Sequence, residues 1–108
     1  MSAARLVIYG ATGYTGELIA REAVRRGLRP MLAGRSEATV AALAQELGCE
    51  YRIASLEDPG ALDRALQGAA VTMHCAGPFS ATSAPVVEAC LRQRSHYLDI
   101  TGEIDVLE

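Results

Sequence analysis

Leu6-Val7-Ile8-Tyr9-Gly10-Ala11-Thr12-Gly13-Tyr14-Thr15-Gly16 is the stretch that decides the fold. Its first four residues are a short apolar run containing β-branched side chains. Glu17 to Arg26, after the glycines, is a helix-forming run closed by Gly27. Strand, glycine turn and helix, in that order, is the setting in which spaced glycines carry meaning. Glycine lets the chain reverse tightly and brings its backbone close to a ligand. The unbonded N–H groups and positive end of the following helix then favour an anion such as a phosphate. Gly10, Thr12, Gly13, Tyr14, Thr15 and Gly16 are therefore candidate phosphate-binding residues. The spacing is GxxGxxG, with Ala11 standing where the commoner GxGxxG has its second glycine.

Further along, Arg29 to Ala33 reads as a second strand ending in Gly34-Arg35-Ser36. In dinucleotide-binding domains an acid at the end of this strand holds the ribose hydroxyls, whereas an arginine there accommodates a 2′-phosphate. Arg35 lies about twenty residues beyond the glycine turn, where that acid would stand. No Asp or Glu occurs between Arg29 and Ser36. The tip therefore favours NADP over NAD, with Gly34, Arg35 and Ser36 as a second group of cofactor contacts. Ser36 also stands where a helix cap belongs, a role compatible with contacting phosphate.

The alternation continues. Val40, Leu43, Ala44 and Leu47 follow at i, i+3, i+4, i+7, and Gly48 closes that helix. Glu50 to Ala54 is a third strand, less apolar than the others and so expected nearer an edge. Asp58-Pro59 is an N-cap followed by proline at the first helical position. Leu62, Ala65 and Leu66 form that helix's buried stripe, and Gly68 ends it. Ala70 to Cys75 reads as a fourth strand, Pro85 to Arg94 as a fourth helix and Tyr97 to Ile100 as a fifth strand. Strands alternating with helices imply right-handed crossovers and an α/β, doubly wound parallel sheet of five or more strands, covered by helices on both faces. Ligands of such sheets sit at the carboxyl ends of the strands. The loops of interest are thus Gly10–Gly16, Gly34–Ser36, Ser55–Glu57, Ala76–Ser83 and Thr101–Glu103.

Composition fits one small domain over residues 1–108. Half of the 108 residues are hydrophobic and the formal net charge is −3. There is no basic block interleaved with aromatics, which argues against nucleic acid. No run is long and apolar enough to span a membrane. Met1-Ser2-Ala3-Ala4-Arg5 leads straight into a strand rather than a signal peptide, so a cytoplasmic location is expected. Cys49, Cys75 and Cys90 are odd in number and widely spaced, and read as small hydrophobes rather than a disulfide frame or metal site. All ten basic residues are arginine. That absence of lysine excludes the Tyr-x-x-x-Lys proton-transfer pair of short-chain dehydrogenases. His74, inside the fourth strand, reads as a core residue, and His96 as exposed. Asp99 and Glu103 flank Thr101-Gly102 at the end of the fifth strand, with solvation and helix capping as the competing explanations. Phe79 is read equally as a core residue or as a flank for the cofactor. No residue is assigned a catalytic role.

The combination GATGYTG (Gly10–Gly16), LAGR (Leu32–Arg35), CAGPF (Cys75–Phe79) and HYLDITGE (His96–Glu103) resembles the N-terminal domain of saccharopine dehydrogenase-like oxidoreductases, in particular their trans-acting enoyl reductase branch. The resemblance runs in order over nearly the whole chain. It implies a Rossmann domain that binds NAD(P), with a second, substrate-shaping domain following residue 108. Gly10, Gly13 and Gly16 carry over as the phosphate turn, Arg35 as the 2′-phosphate contact, and Gly77 with Pro78 as the loop beside the nicotinamide ribose. Ser55 and Ala76, in the adjoining loops, complete the candidate set. The sequence departs from the family at His74, where such proteins commonly show Asn. The expected function is the cofactor half of an NADP-dependent oxidoreductase acting on an enoyl or imine-type small molecule; the alternative is a non-catalytic NAD(P)-sensing module on the same fold. A methyltransferase fits poorly, because Arg35 stands where its cofactor's ribose calls for an acid. The segment alone is expected not to catalyse, and to self-associate through a surface that the rest of the protein covers.

Overall fold

The computed structural model describes residues 5–75 and 79–99, with side chains at all of these except 79–83 and 99. The elements are β1 (Arg5–Tyr9), α1 (Tyr14–Arg25), β2 (Met31–Gly34), α2 (Glu37–Leu47), β3 (Tyr51–Ile53), α3 (Pro59–Leu66), β4 (Ala69–His74), α4 (Phe79–Gln93) and β5 (His96–Asp99). The five strands form one parallel sheet in the order β3-β2-β1-β4-β5. The less apolar β3 is at an edge, as its composition suggests. The chain winds outward from β1 to β3, then returns across it to β4 and β5, so β1 and β4 flank the switch point of a doubly wound sheet.

Each face of the sheet has its own core. Alternate residues of β1 point to opposite sides: Ile8, with Leu32 of β2, meets Ala20 of α1 and Val40, Leu43 and Ala44 of α2. Val7 and Tyr9, with Met31 and Ala33, meet Leu62, Ala65 and Leu66 of α3 and Val86, Ala89 and Cys90 of α4. Ion pairs tie neighbouring helices: Arg21 of α1 reaches Glu46 of α2 at 2.8 Å, and Arg92 of α4 reaches Asp63 of α3 at 2.9 Å. Exposed pairs of this kind contribute little to stability beyond orientation.

Local chemistry sets the helix ends. Arg26, Gly27 and Leu28 close α1 with a paired turn. The Leu28 N–H donates to the Ala23 carbonyl and the Gly27 N–H to Val24, both at 2.9 Å, with Gly27 at φ 90. Asp58 caps α3 through its carboxylate, which accepts from the Ala61 N–H at 3.1 Å. Three expectations change. First, α1 begins at Tyr14, three residues before Glu17, because Gly13 takes up the extended N-cap conformation. Second, Ser36 occupies the N-cap position of α2, but its side chain makes no capping hydrogen bond. Third, α4 starts at Phe79 rather than at Pro85, which lies inside the helix. Proline there removes one helical hydrogen bond; the burial of Val86, Ala89 and Cys90 at the sheet holds the helix nonetheless.

Candidate functional site

Because all five strands run the same way, the loops after β1 and β2 open on one edge of the sheet, where Cys75 follows β4. They enclose a cleft of about 280 Å³ lined by Tyr9, Gly10, Thr12, Gly13, Gly34, Arg35, Ser36 and Cys75. The glycine turn and the Gly34-Arg35-Ser36 tip, separated in sequence by the whole of α1, are thus two walls of one site at the switch point. The Gly10 and Ala11 N–H groups both donate to the Ala33 carbonyl, at 2.9 and 3.2 Å, which fixes the turn against the end of β2. From the other side the Cys75 N–H donates to the Tyr9 carbonyl at 2.8 Å.

The three glycines are needed for three different reasons. Gly10 has φ 85, a left-handed conformation that side chains rarely adopt. A Cβ on Gly16 would stand 2.1 Å from the Gly10 carbonyl oxygen, so its lack of a side chain lets α1 pack on the strand end. Gly13 has neither need: its φ of −71 suits any residue. A Cβ there would meet nothing closer than the Gly10 and Cys75 carbonyl oxygens, at 3.5 and 3.9 Å. Gly13 is itself one of the residues lining the cleft. The backbone at Gly13 is thus open to close approach from the cleft that it lines. Ala11, at the usual position of the second glycine, is fully buried beneath α1 instead.

Electrostatics at the site favour an anion. Gly13 has no side chain with which to cap α1, so the N–H groups of the first turn, Tyr14, Thr15 and Gly16, lack a side-chain acceptor from that position. Thr12 and Tyr14 are exposed, and Arg35 brings a guanidinium to the opposite wall. Ser36, released from capping, offers its hydroxyl there. Two lining residues escape a reading of glycines and charges. Tyr9 is 1% exposed, and its hydroxyl donates to the Ala54 carbonyl at 2.7 Å, joining the ends of β1 and β3. Burial, opposed by Arg35, pushes that phenol up to about 12, so it stays a neutral donor. Burial likewise pushes the Cys75 thiol up to about 11, so it is a packing group rather than a thiolate. The alternation of β1 signals Tyr9 as core-facing, but nothing in the sequence shows that its hydroxyl reaches across two strands.

Ser55 lies beside the cleft without lining it, and its hydroxyl bonds the Glu57 carboxylate. His74 is fully buried between the rings of Tyr9 and Tyr97, 6.0 and 6.1 Å from their centroids. His96 is exposed. Ala76, Gly77 and Pro78, the side chains of Phe79 and Asp99, and residues 100–108 with Thr101 and Glu103 lie outside the described residues. Among the described residues no group of three His, Cys, Asp or Glu side chains is placed to hold a metal, and no helix is long and apolar enough to cross a membrane. A larger hollow of about 600 Å³ lies at the opposite, amino-terminal edge of the strands, where Arg5 pairs with Glu50 at 3.5 Å. It offers none of the helix N-termini that make the carboxyl edge a ligand site.

A doubly wound sheet with a glycine turn and an arginine-bearing tip at its switch point defines the class of nucleotide-cofactor-binding domains. The sequence model of the saccharopine dehydrogenase NADP-binding domain matches residues 6–106, and the chain belongs to that family. It is an NADP-binding domain, in agreement with Arg35 at the end of β2. A saccharopine dehydrogenase-like oxidoreductase of Homo sapiens is 29% identical over 122 residues, covering 95% of this chain and 28% of the human protein. A trans-acting enoyl reductase of Mycobacterium ulcerans is 32% identical over 106 residues, covering 92% of this chain and 25% of that protein. The chain thus spans about a quarter of the length of these relatives. Among solved structures, the triphenylmethane reductase of Citrobacter sp., complexed with NADP(H), shares the fold. Its TM-score is 0.76 at 22% identity, over 87% of this chain and 36% of that one.

Proposed function

We propose that this chain is the cofactor half of an NADP-dependent oxidoreductase, and that its cleft holds the phosphates of NADP. In this reading Gly10, Thr12 and Gly13 shape the turn against the pyrophosphate, and the first-turn backbone N–H groups of Tyr14, Thr15 and Gly16 face it. Gly34, Arg35 and Ser36 take the 2′-phosphate. Ser55 borders the adenosine side, and Ala76, Gly77 and Pro78 border the nicotinamide ribose. NADP, when bound, supplies or accepts the hydride; the chain's own residues bind and orient it. The observation that carries the reading is Gly13, a glycine that neither its backbone angles nor its neighbours require, on the wall of the cleft.

The substrate, an enoyl or imine-type small molecule, is supported by the names of the relatives, which are oxidoreductases that include an enoyl reductase. Those names favour catalysis over a purely sensing module. The residues that shape the substrate pocket belong, in this proposal, to polypeptide following residue 108. A cytoplasmic, reducing compartment suits the buried thiols of Cys75 and Cys90. Gly13→Val tests the site: it is expected to abolish NADPH binding by calorimetry while the helical circular dichroism signal stays near that of the parent. Unchanged affinity would mean that the phosphate does not sit there.

A further inference from the structure

Two loops meet beside Arg35 in a way that cofactor binding alone leaves unexplained. The Ala54 N–H donates to the Gly34 carbonyl at 3.0 Å, so Arg35 and Ser55, the residues that follow, leave the sheet side by side. Beyond Ser55 the chain folds back on itself. The Ser55 hydroxyl donates to the Glu57 carboxylate and accepts from the Glu57 N–H at 3.2 Å. The Asp58 N–H closes the turn on the Ser55 carbonyl at 3.1 Å. Glu57 is exposed, yet its carboxylate is held by this turn instead of swinging freely in solvent. Tyr9 braces the same corner through its bond to the Ala54 carbonyl.

Arg35 and Glu57 share this corner as opposite charges. Both act on the Tyr9 hydroxyl, Arg35 lowering its pKa and Glu57 raising it. The Glu57 carboxyl is itself held below its ordinary range, first by the Ser55 hydroxyl and more weakly by Arg35. A carboxylate fixed beside the one cation that lines the cleft offsets part of that cation's attraction for an anionic ligand. It also repels a phosphate bound at Arg35 directly, as a like charge.

We propose that Glu57 is a specificity-determining residue: held by the Ser55 turn next to Arg35, it opposes the 2′-phosphate and keeps the preference for NADP over NAD below what Arg35 alone would confer. This rests on reading Arg35 as the 2′-phosphate contact. Ser55 then acts on the site through Glu57. The opposition falls on the 2′-phosphate alone, because NAD carries only a hydroxyl at that position.

The test is calorimetric titration of NADPH and NADH into the parent chain, Glu57→Gln and Glu88→Gln, at low and at high salt. Glu88, exposed on α4, does not line the cleft and controls for the equal change in net charge. Glu57→Gln is expected to tighten NADPH at low salt by roughly two- to fivefold, the scale of an exposed charge pair. NADH should be unmoved, and the gain should shrink at high salt. Glu88→Gln should change neither cofactor. Unchanged NADPH affinity in Glu57→Gln, or an equal gain for NADH, overturns the role of Glu57 while leaving the cofactor site standing. Absence of NADPH binding by the parent chain overturns the cofactor reading and this inference together.

Discussion

Gly13 and Gly16 sit three residues apart and answer to different constraints, which makes them separable by substitution. Gly16→Ala drives a Cβ to 2.1 Å from the Gly10 carbonyl oxygen, so the start of α1 must shift and stability should fall. Gly13→Ala meets only contacts of 3.5 Å and beyond, so it should melt close to the parent temperature and lose NADPH affinity. Thermal melts with parallel titrations check both; loss of binding without loss of stability belongs to Gly13 alone. Tyr9→Phe removes the donor to the Ala54 carbonyl and is expected to cost about 1 kcal/mol at neutral pH. The phenol's pKa is raised in the folded state, so its contribution is complete below the unfolded value of 10 and is lost as pH rises toward about 12. The gap between parent and Tyr9→Phe should therefore close through that window in denaturant titrations at stepped pH. The turn, the arginine tip and their chemistry are legible in sequence because they are local. Tyr9 is not, since its partner Ala54 lies on a strand 45 residues away.

Among the elements, α4 shows where local signals and packing part company. Proline at a first helical position is a sound start signal, and it works at Pro59 of α3, where Asp58 caps. The same signal misplaces α4, since Pro85 stands in the helix interior and six residues precede it. What places α4 is the apolar strip Val86, Ala89 and Cys90 against the sheet, a tertiary constraint that no cap announces. Two substitutions separate these effects by denaturant titration. Asp58→Ala should cost about 1 kcal/mol through loss of the α3 cap. Pro85→Ala should raise stability, by up to about 3 kcal/mol, as an N–H returns to the helix. A destabilised Pro85→Ala would show that the helix depends on the bend proline imposes.

At the scale of the whole sheet, the described residues cover its two faces unequally. On the α3–α4 side helices reach from β3 to β5, while on the α1–α2 side they lie over β1, β2 and β3. By register, Val71 and Met73 of β4 and Leu98 of β5 share that second side with Leu6 and Ile8, and Leu98 is 50% exposed. Parallel strands are normally buried on both faces, so this half-open seat is the expected route of self-association in the isolated chain. Light scattering over a concentration range should show oligomers, reduced in Leu98→Ser. A strictly monomeric chain at high concentration would remove the seat as a contact surface.

We propose that Arg35 makes this an NADP site. Calorimetric titration of NADPH and NADH into the parent chain and Arg35→Ala tests it most directly. Charge-assisted contacts contribute about 1.5–3 kcal/mol. NADPH affinity should accordingly fall roughly tenfold or more in Arg35→Ala, with NADH binding nearly unchanged. Equal losses for the two cofactors would contradict the account.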